Sequence, residues 1–218
     1  MSENSAAPAA DPADAEPTVE EIAEQKQVRL DKRQRMLDVG LAPYAIGLEV
    51  TTTIPDVRSR FPDLEPDTAT GERVALAGRI VFSRNTGKLC FATLQAGDGS
   101  RLQVMVSLAE VGDESLERWK EFTDLADHVF VEGEVITSRR GELSIMVSSW
   151  AIAAKAILPL PTLHKELSEE TRVRQRYLDL IVREQARQTV RARAVAVASL
   201  RSTFASHGYL EVETPMLQ

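Results

Sequence analysis

Residues 74–107 read VALAGRIVFSRNTGKLCFATLQAGDGSRLQVMVS, and apolar side chains fall at every second position through most of it. Alternation of this period belongs to β-strands with one buried face. Val74, Leu76, Gly78, Ile80 and Phe82 share one side of the first strand, with Arg79 and Ser83 opposite. Arg84-Asn85-Thr86-Gly87 supplies a turn, and Lys88 to Gln95 makes a second strand. Ala96-Gly97-Asp98-Gly99 is a hairpin loop leading to a third strand, Arg101 to Ser107.

Downstream, a helical stretch from Glu114 to Phe122 precedes a fourth strand, Asp127 to Ser138. Arg139-Arg140-Gly141 then turns the chain into a fifth, Glu142 to Ala151. Three strands, a helix and two strands is the order of an OB-fold, a five-stranded barrel whose strand 2–3 face commonly binds oligonucleotides. Parity names the residues on that face. Cys90, Ala92 and Leu94 point inward, so Leu89 and Phe91 point out. Leu102, Val104 and Val106 point inward, leaving Arg101, Gln103 and Met105 outside. In the fifth strand Leu143, Ile145 and Val147 are inward, with Glu142 and Ser144 outward. An exposed Phe91 offers a stacking platform of ~1–3 kcal/mol per base. Gln103 brings a donor and an acceptor to a base edge, and Glu142 can only accept. The competing reading has Phe91 packed beneath the N-terminal helix.

That helix is expected between Thr18, at capping-box spacing from Glu21, and the stop signal Gly40. Ala23, Leu30 and Leu37 share a seam, while Lys26, Arg29 and Arg33 line another face. These bases either form a solvated face or touch an RNA backbone through its phosphates. Between this helix and the barrel, Pro55 begins a short helix carrying Val57 and Phe61.

Composition limits the classes. The net charge is −7, but residues 1–25 hold seven acids and no Lys or Arg. Without those seven, 26 bases face 26 acids, so the acidic balance does not exclude an RNA partner. Met1 to Pro17 is rich in Ala, Pro and Glu with no aromatic residue, and is expected to be disordered. It has neither a basic start nor an apolar core, so it reads as no signal or transit peptide. No run of about 18 apolar residues suggests a membrane span. The single Cys90 lies in an apolar strand, and His128, His164 and His207 are scattered. A buried thiol in a reducing cytoplasm and no metal site are expected.

From Thr189 the chain reads as an amphipathic helix with Val190, Val197, Leu200 and Phe204 on one stripe, closed by Gly208. A short strand, Tyr209 to Thr214, then meets Pro215. A helix and strand without a following partner strand open a domain that 218 residues do not complete.

Several of these stretches resemble one family. Gly87 to Gln95, Arg101 to Val104 and Arg140 to Ser144 resemble the anticodon-binding barrel of class II lysine–tRNA ligases, as do Pro159-Leu160-Pro161 and Arg172 to Leu180. Gly208 to Pro215 looks like the family's motif 1. The aspartate and asparagine ligases share the barrel and motif 1, but the basic N-terminal helix and Pro-Leu-Pro linker look lysine-type. The resemblance implies that Phe91 stacks on the central anticodon base. It implies that Gln103 hydrogen-bonds that base, with Arg84 and Glu142 completing the pocket. It places Val197, Leu200, Phe204 and Pro215 in a motif 1 homodimer interface. It implies a lysine-accepting tRNA as partner, with ATP and Mg2+ serving the whole enzyme through motifs 2 and 3, expected beyond Gln218. No catalytic or metal residue falls within these positions, and the segment alone is expected not to aminoacylate. Arg172, Arg174 and Arg176 are left between a bridging, a tRNA-contacting and a plain surface role.

The expected organisation is a tail (1–17), an N-terminal helix and loop (18–67), the OB-fold (68–154), a linker (155–188) and a motif 1 start of an α+β catalytic domain (189–218). Two other readings are a stand-alone tRNA or single-strand RNA binding module, and a dimerisation protein using the barrel as scaffold.

Overall fold

The computed structural model describes residues 19–161 and 167–215. The tail and the Thr18 cap lie outside them. The chain forms two compact units, one ending at Glu166 and one beginning at Leu167.

In the first unit the alternating segments become β1 (Ala69–Asn85), β2 (Leu89–Gln95), β3 (Arg101–Ser107), β4 (His128–Thr137) and β5 (Leu143–Ala154). They close as a barrel in the order β1-β2-β3-β5-β4. All neighbours are antiparallel except β3 and β5. Leu76, Ile80, Cys90, Leu94, Leu102, Val104, Val106, Val131, Ile145 and Val147 fill the core, as the period-two pattern demands. Burial pushes the Cys90 thiol up from its ordinary pKa, which makes it a packing residue.

Helices cover the barrel. Before β1, α1 (Val19–Asp38) and α2 (Ile54–Arg60) place Met36, Ile54 and Val57 in the same core. A four-residue turn, α3 (Leu108–Val111), precedes α4 (Asp113–Phe122), which buries Leu116, Trp119 and Phe122. Trp119 meets Trp150 of β5 edge to face, with ring centroids 5.0 Å apart.

Two expectations need correction here. The buried seam of α1 runs through Met36, whereas Leu37 is exposed and Ala23 faces solvent. Charged stems occupy the rest of the packed side: Arg29 donates to the Ala156 and Leu158 carbonyls at 3.1 and 3.4 Å. Arg33 lies over the Tyr44 ring at 5.7 Å. Lys32 reaches Asp124 at 2.6 Å. The helix then ends in a Schellman cap, with Leu41 N–H bonded to Met36 C=O and Gly40, at φ +74°, bonded to Leu37 C=O.

The second correction concerns β1. Phe82, expected on the core side, is 54% exposed. A bulge between Ile80 and Phe82 sets Ile80 opposite Leu94 and Phe82 opposite Thr93, leaving Val81 without a partner. Ile80 and Val81 are both buried, and the extra residue turns every later side chain of β1 over.

The second unit contains α5 (Glu169–Arg174), α6 (Arg176–Val182) and α7 (Glu184–Ser206). Arg174 pairs with Glu170 at 3.0 Å. Arg176 and Arg183 both pair with the fully buried Asp179. Helix α7 begins five residues before Thr189 and ends at Ser206, two residues before Gly208, which takes φ +81°. Tyr209 N–H bonds Phe204 C=O, and the two rings meet at 5.6 Å, closing another Schellman cap. Tyr209 to Thr214 forms no strand, because among the described residues nothing pairs with it.

Candidate nucleic-acid interface

The barrel register builds this face directly. Pairing sets Arg84 opposite Phe91, Phe91 opposite Met105 and Met105 opposite Met146. The adjoining row runs Phe82, Thr93, Gln103 and Ser144 across the same four strands. Residues paired across a sheet share a face, so all eight lie on one side. The inward Cys90, Ala92, Val104 and Val106 between them put that side outward.

Phe91 is half-buried on this face and is absent from the core cluster. Helix α1 packs Met36 into the core and meets α4, Asp124, the Tyr44 ring and the carbonyls of Ala156 and Leu158. Gln103 is also half-buried. Its amide nitrogen donates to Ser144 Oγ at 2.9 Å, and that hydroxyl donates to the Glu142 carbonyl at 2.9 Å. The relay fixes the amide and leaves Gln103 Oε1 without another partner among the described residues. Ser144 faces outward but has no solvent exposure.

Glu142 sits where the hairpin Ser138–Glu142 enters β5. Ser138 N–H donates to the Glu142 carbonyl at 2.9 Å, and Glu142 N–H donates to Ser138 Oγ at 3.1 Å. Gly141 takes φ +80° at the tip. The Glu142 carboxylate lies 3.6 Å from an Arg58 nitrogen. Arg58 also donates to the Arg101 carbonyl at the start of β3. Helix α2 holds Arg58 there through a Thr53 N-cap, whose hydroxyl accepts from Asp56 N–H, and through buried Ile54 and Val57. Arg84, Lys88, Arg101, Arg139 and Arg140 are exposed around the face. A ring above a polar row, rimmed by cations, can hold a flat base and its phosphates.

The structure thus brings Arg84, Phe91, Gln103 and Ser144 onto one face, with Glu142 at its edge. Of Lys26, Arg29 and Arg33, only Lys26 is exposed, since the fold occupies Arg29 and Arg33. Val197, Leu200 and Phe204 lie on the second unit, each roughly half exposed, and Pro215 is exposed beyond α7. Sequence reading missed Arg58, Phe82 and the orienting role of Ser144. The uninterrupted run Ile80-Val81-Phe82 was the available sign of the bulge, because three adjacent apolar residues break strict alternation.

Residues 74–153 match the family described as an OB-fold nucleic acid binding domain, and residues 168–218 match class II tRNA synthetases (D, K and N). The chain is similar to the lysine–tRNA ligase of Mycolicibacterium gilvum, 58% identical over 91% of the chain and 40% of that protein. The corresponding ligase of Kineococcus radiotolerans is 56% identical over the same shares. That of Thermosynechococcus vestitus is 36% identical over 90% of the chain and 40% of the protein. The chain therefore spans about two-fifths of the length of these curated relatives.

Proposed function

We propose, from the premise that this chain belongs to the class II lysine–tRNA ligase family, that it is the anticodon-reading portion of such an enzyme. The central base of a uridine-rich anticodon stacks on Phe91. Gln103 presents Oε1 to the base N3–H, while Arg84 and Glu142 bound the pocket. The observation that carries this reading is the outward, half-buried Phe91 beside a Gln103 amide held by Ser144.

The whole ligase would join lysine to its tRNA in the cytoplasm using ATP and Mg2+, and would pair as a homodimer through α7 and the segment to Pro215. Among the described residues no group of three His, Cys, Asp or Glu side chains could hold a metal ion. No helix among them is long and apolar enough to cross a membrane. Lys26 remains available to a tRNA phosphate.

The test is titration of the chain with an RNA hairpin whose loop carries three successive uridines. Phe91→Ala is expected to weaken binding by ~1–3 kcal/mol. Unchanged affinity in that variant, with its fold intact by circular dichroism, defeats the assignment.

A further inference from the structure

The bulge in β1 delivers a second aromatic ring to the outer face. Phe82 is the one large apolar side chain of the barrel strands exposed above half of its surface. It lies opposite Thr93, while Phe91 is two residues from Thr93 on the same strand. Phe82 and Phe91 are therefore diagonal neighbours, at roughly 7–8 Å by the geometry of such pairs. That is about twice the 3.4 Å rise per nucleotide of a stacked strand. Two adjoining nucleotides that are splayed apart can each meet one ring.

The surroundings favour a base over a protein side chain as the occupant. The rest of the row through Phe82 is Thr93, Gln103 and Ser144, all polar, while Phe91, Met105 and Met146 lie in the adjoining row beside Arg84. A nucleobase presents a flat apolar face and a polar edge, which suits one ring bordered by hydroxyl and amide groups. Arg84 stands two residues along β1 on the same face, exposed and able to meet the intervening phosphate.

We infer that Phe82 is a second stacking platform, taking the base next to the one on Phe91. This rests on the anticodon reading above and extends it from one base to two. The bulge is the device that makes it possible: with regular alternation Phe82 would lie inside the barrel and the face would carry one ring. Val81 is the residue buried in its place.

The experiment titrates the full chain and its Phe82→Ala, Phe82→Tyr and Phe91→Ala variants with the three-uridine hairpin. The set is repeated on hairpins in which each uridine in turn is replaced by an abasic ribose. Phe82→Ala is expected to lower affinity for the intact hairpin about five- to a hundredfold, and Phe82→Tyr to preserve it. The Phe82→Ala loss should vanish on one abasic hairpin and the Phe91→Ala loss on a neighbouring one. Should alanine loosen the bulge, Phe82→Leu keeps the apolar bulk without a flat face and is expected to show the same loss. If Phe91→Ala weakens binding while Phe82→Ala does not, the second platform is overturned and the anticodon reading stands. A Phe82→Ala loss that persists on every abasic hairpin also overturns it, because the ring would then act on the fold. If neither variant changes affinity, both readings fall.

Discussion

Ser144 shows how a buried hydroxyl can govern a half-buried amide. It accepts from Gln103 and donates to the Glu142 carbonyl, so the Gln103 oxygen, rather than its nitrogen, is turned toward the face. An acceptor there suits the N3–H of uracil and opposes the bare N3 of cytosine. Ser144→Ala releases the amide. Its affinity ratio for hairpins with a central uridine against a central cytidine should narrow by about one hydrogen bond, ~1 kcal/mol. An unchanged ratio denies Ser144 this role. A second residue-scale consequence involves His128, cross-strand from Arg79 at the start of β4. Burial, and then the Arg79 charge, hold its pKa below the ordinary value of 6.5. The folded chain thus binds this proton less readily than the unfolded one. The chain should be most stable above pH 6.5, lose stability as the pH falls from there, and level off below the folded pKa. Urea titrations across this range should show that slope, and His128→Gln should remove it. Asp124 acts in a lower window: burial alone raises its pKa, but Lys155 and Lys32 outweigh this and hold it below 3.8. Its contribution is present above the unfolded value and fades as the pH drops through the folded one.

At the scale of elements, the joint between β4 and β5 leaves no room for a side chain at Gly133. Gly133 pairs with Val147 beside a register shift, and a Cβ there would lie 2.0 Å from the Met146 carbonyl oxygen. Backbone must move to admit it. Gly133→Ala is expected to cost about 2 kcal/mol or more in urea unfolding, against a few tenths for an ordinary surface change. The strands themselves were legible because alternation was clean: β2 and β3 have no break, so the outward positions of Phe91 and Gln103 followed from counting. Phe82 did not, because one bulged residue reverses parity and leaves composition untouched. The face of α1 was harder for a different reason. Its apolar residues are too few to define a stripe, and the packed side is completed by Arg29, Lys32 and Arg33, whose heads find carbonyls, a carboxylate and a ring. Arg58 escaped notice because its task depends on the distant Glu142, brought near only when β5 closes the barrel.

The molecule as a whole divides its apolar surface unequally. The hydrophobic core cluster lies between Met36 and Ile152, within the first unit, and β4 pairs with both β1 and β5 to leave no open strand edge between them. The second unit holds Asp179 in its arginine clasp, but along α7 Val190, Val197, Leu200 and Phe204 remain 44–57% exposed. A stripe of this kind on a 23-residue helix is the face that packing normally covers. The chain should therefore self-associate through α7 as concentration rises, visible by sedimentation. Leu200→Glu places a charge in the middle of the stripe and should return the chain to monomers. Because Leu200 belongs to a different unit from Phe91 and Gln103, the same variant should bind the three-uridine hairpin as tightly as the parent chain. Persistence of the larger species in Leu200→Glu means that association uses another surface. Loss of hairpin binding would instead mean that hairpin binding by the barrel depends on association through α7.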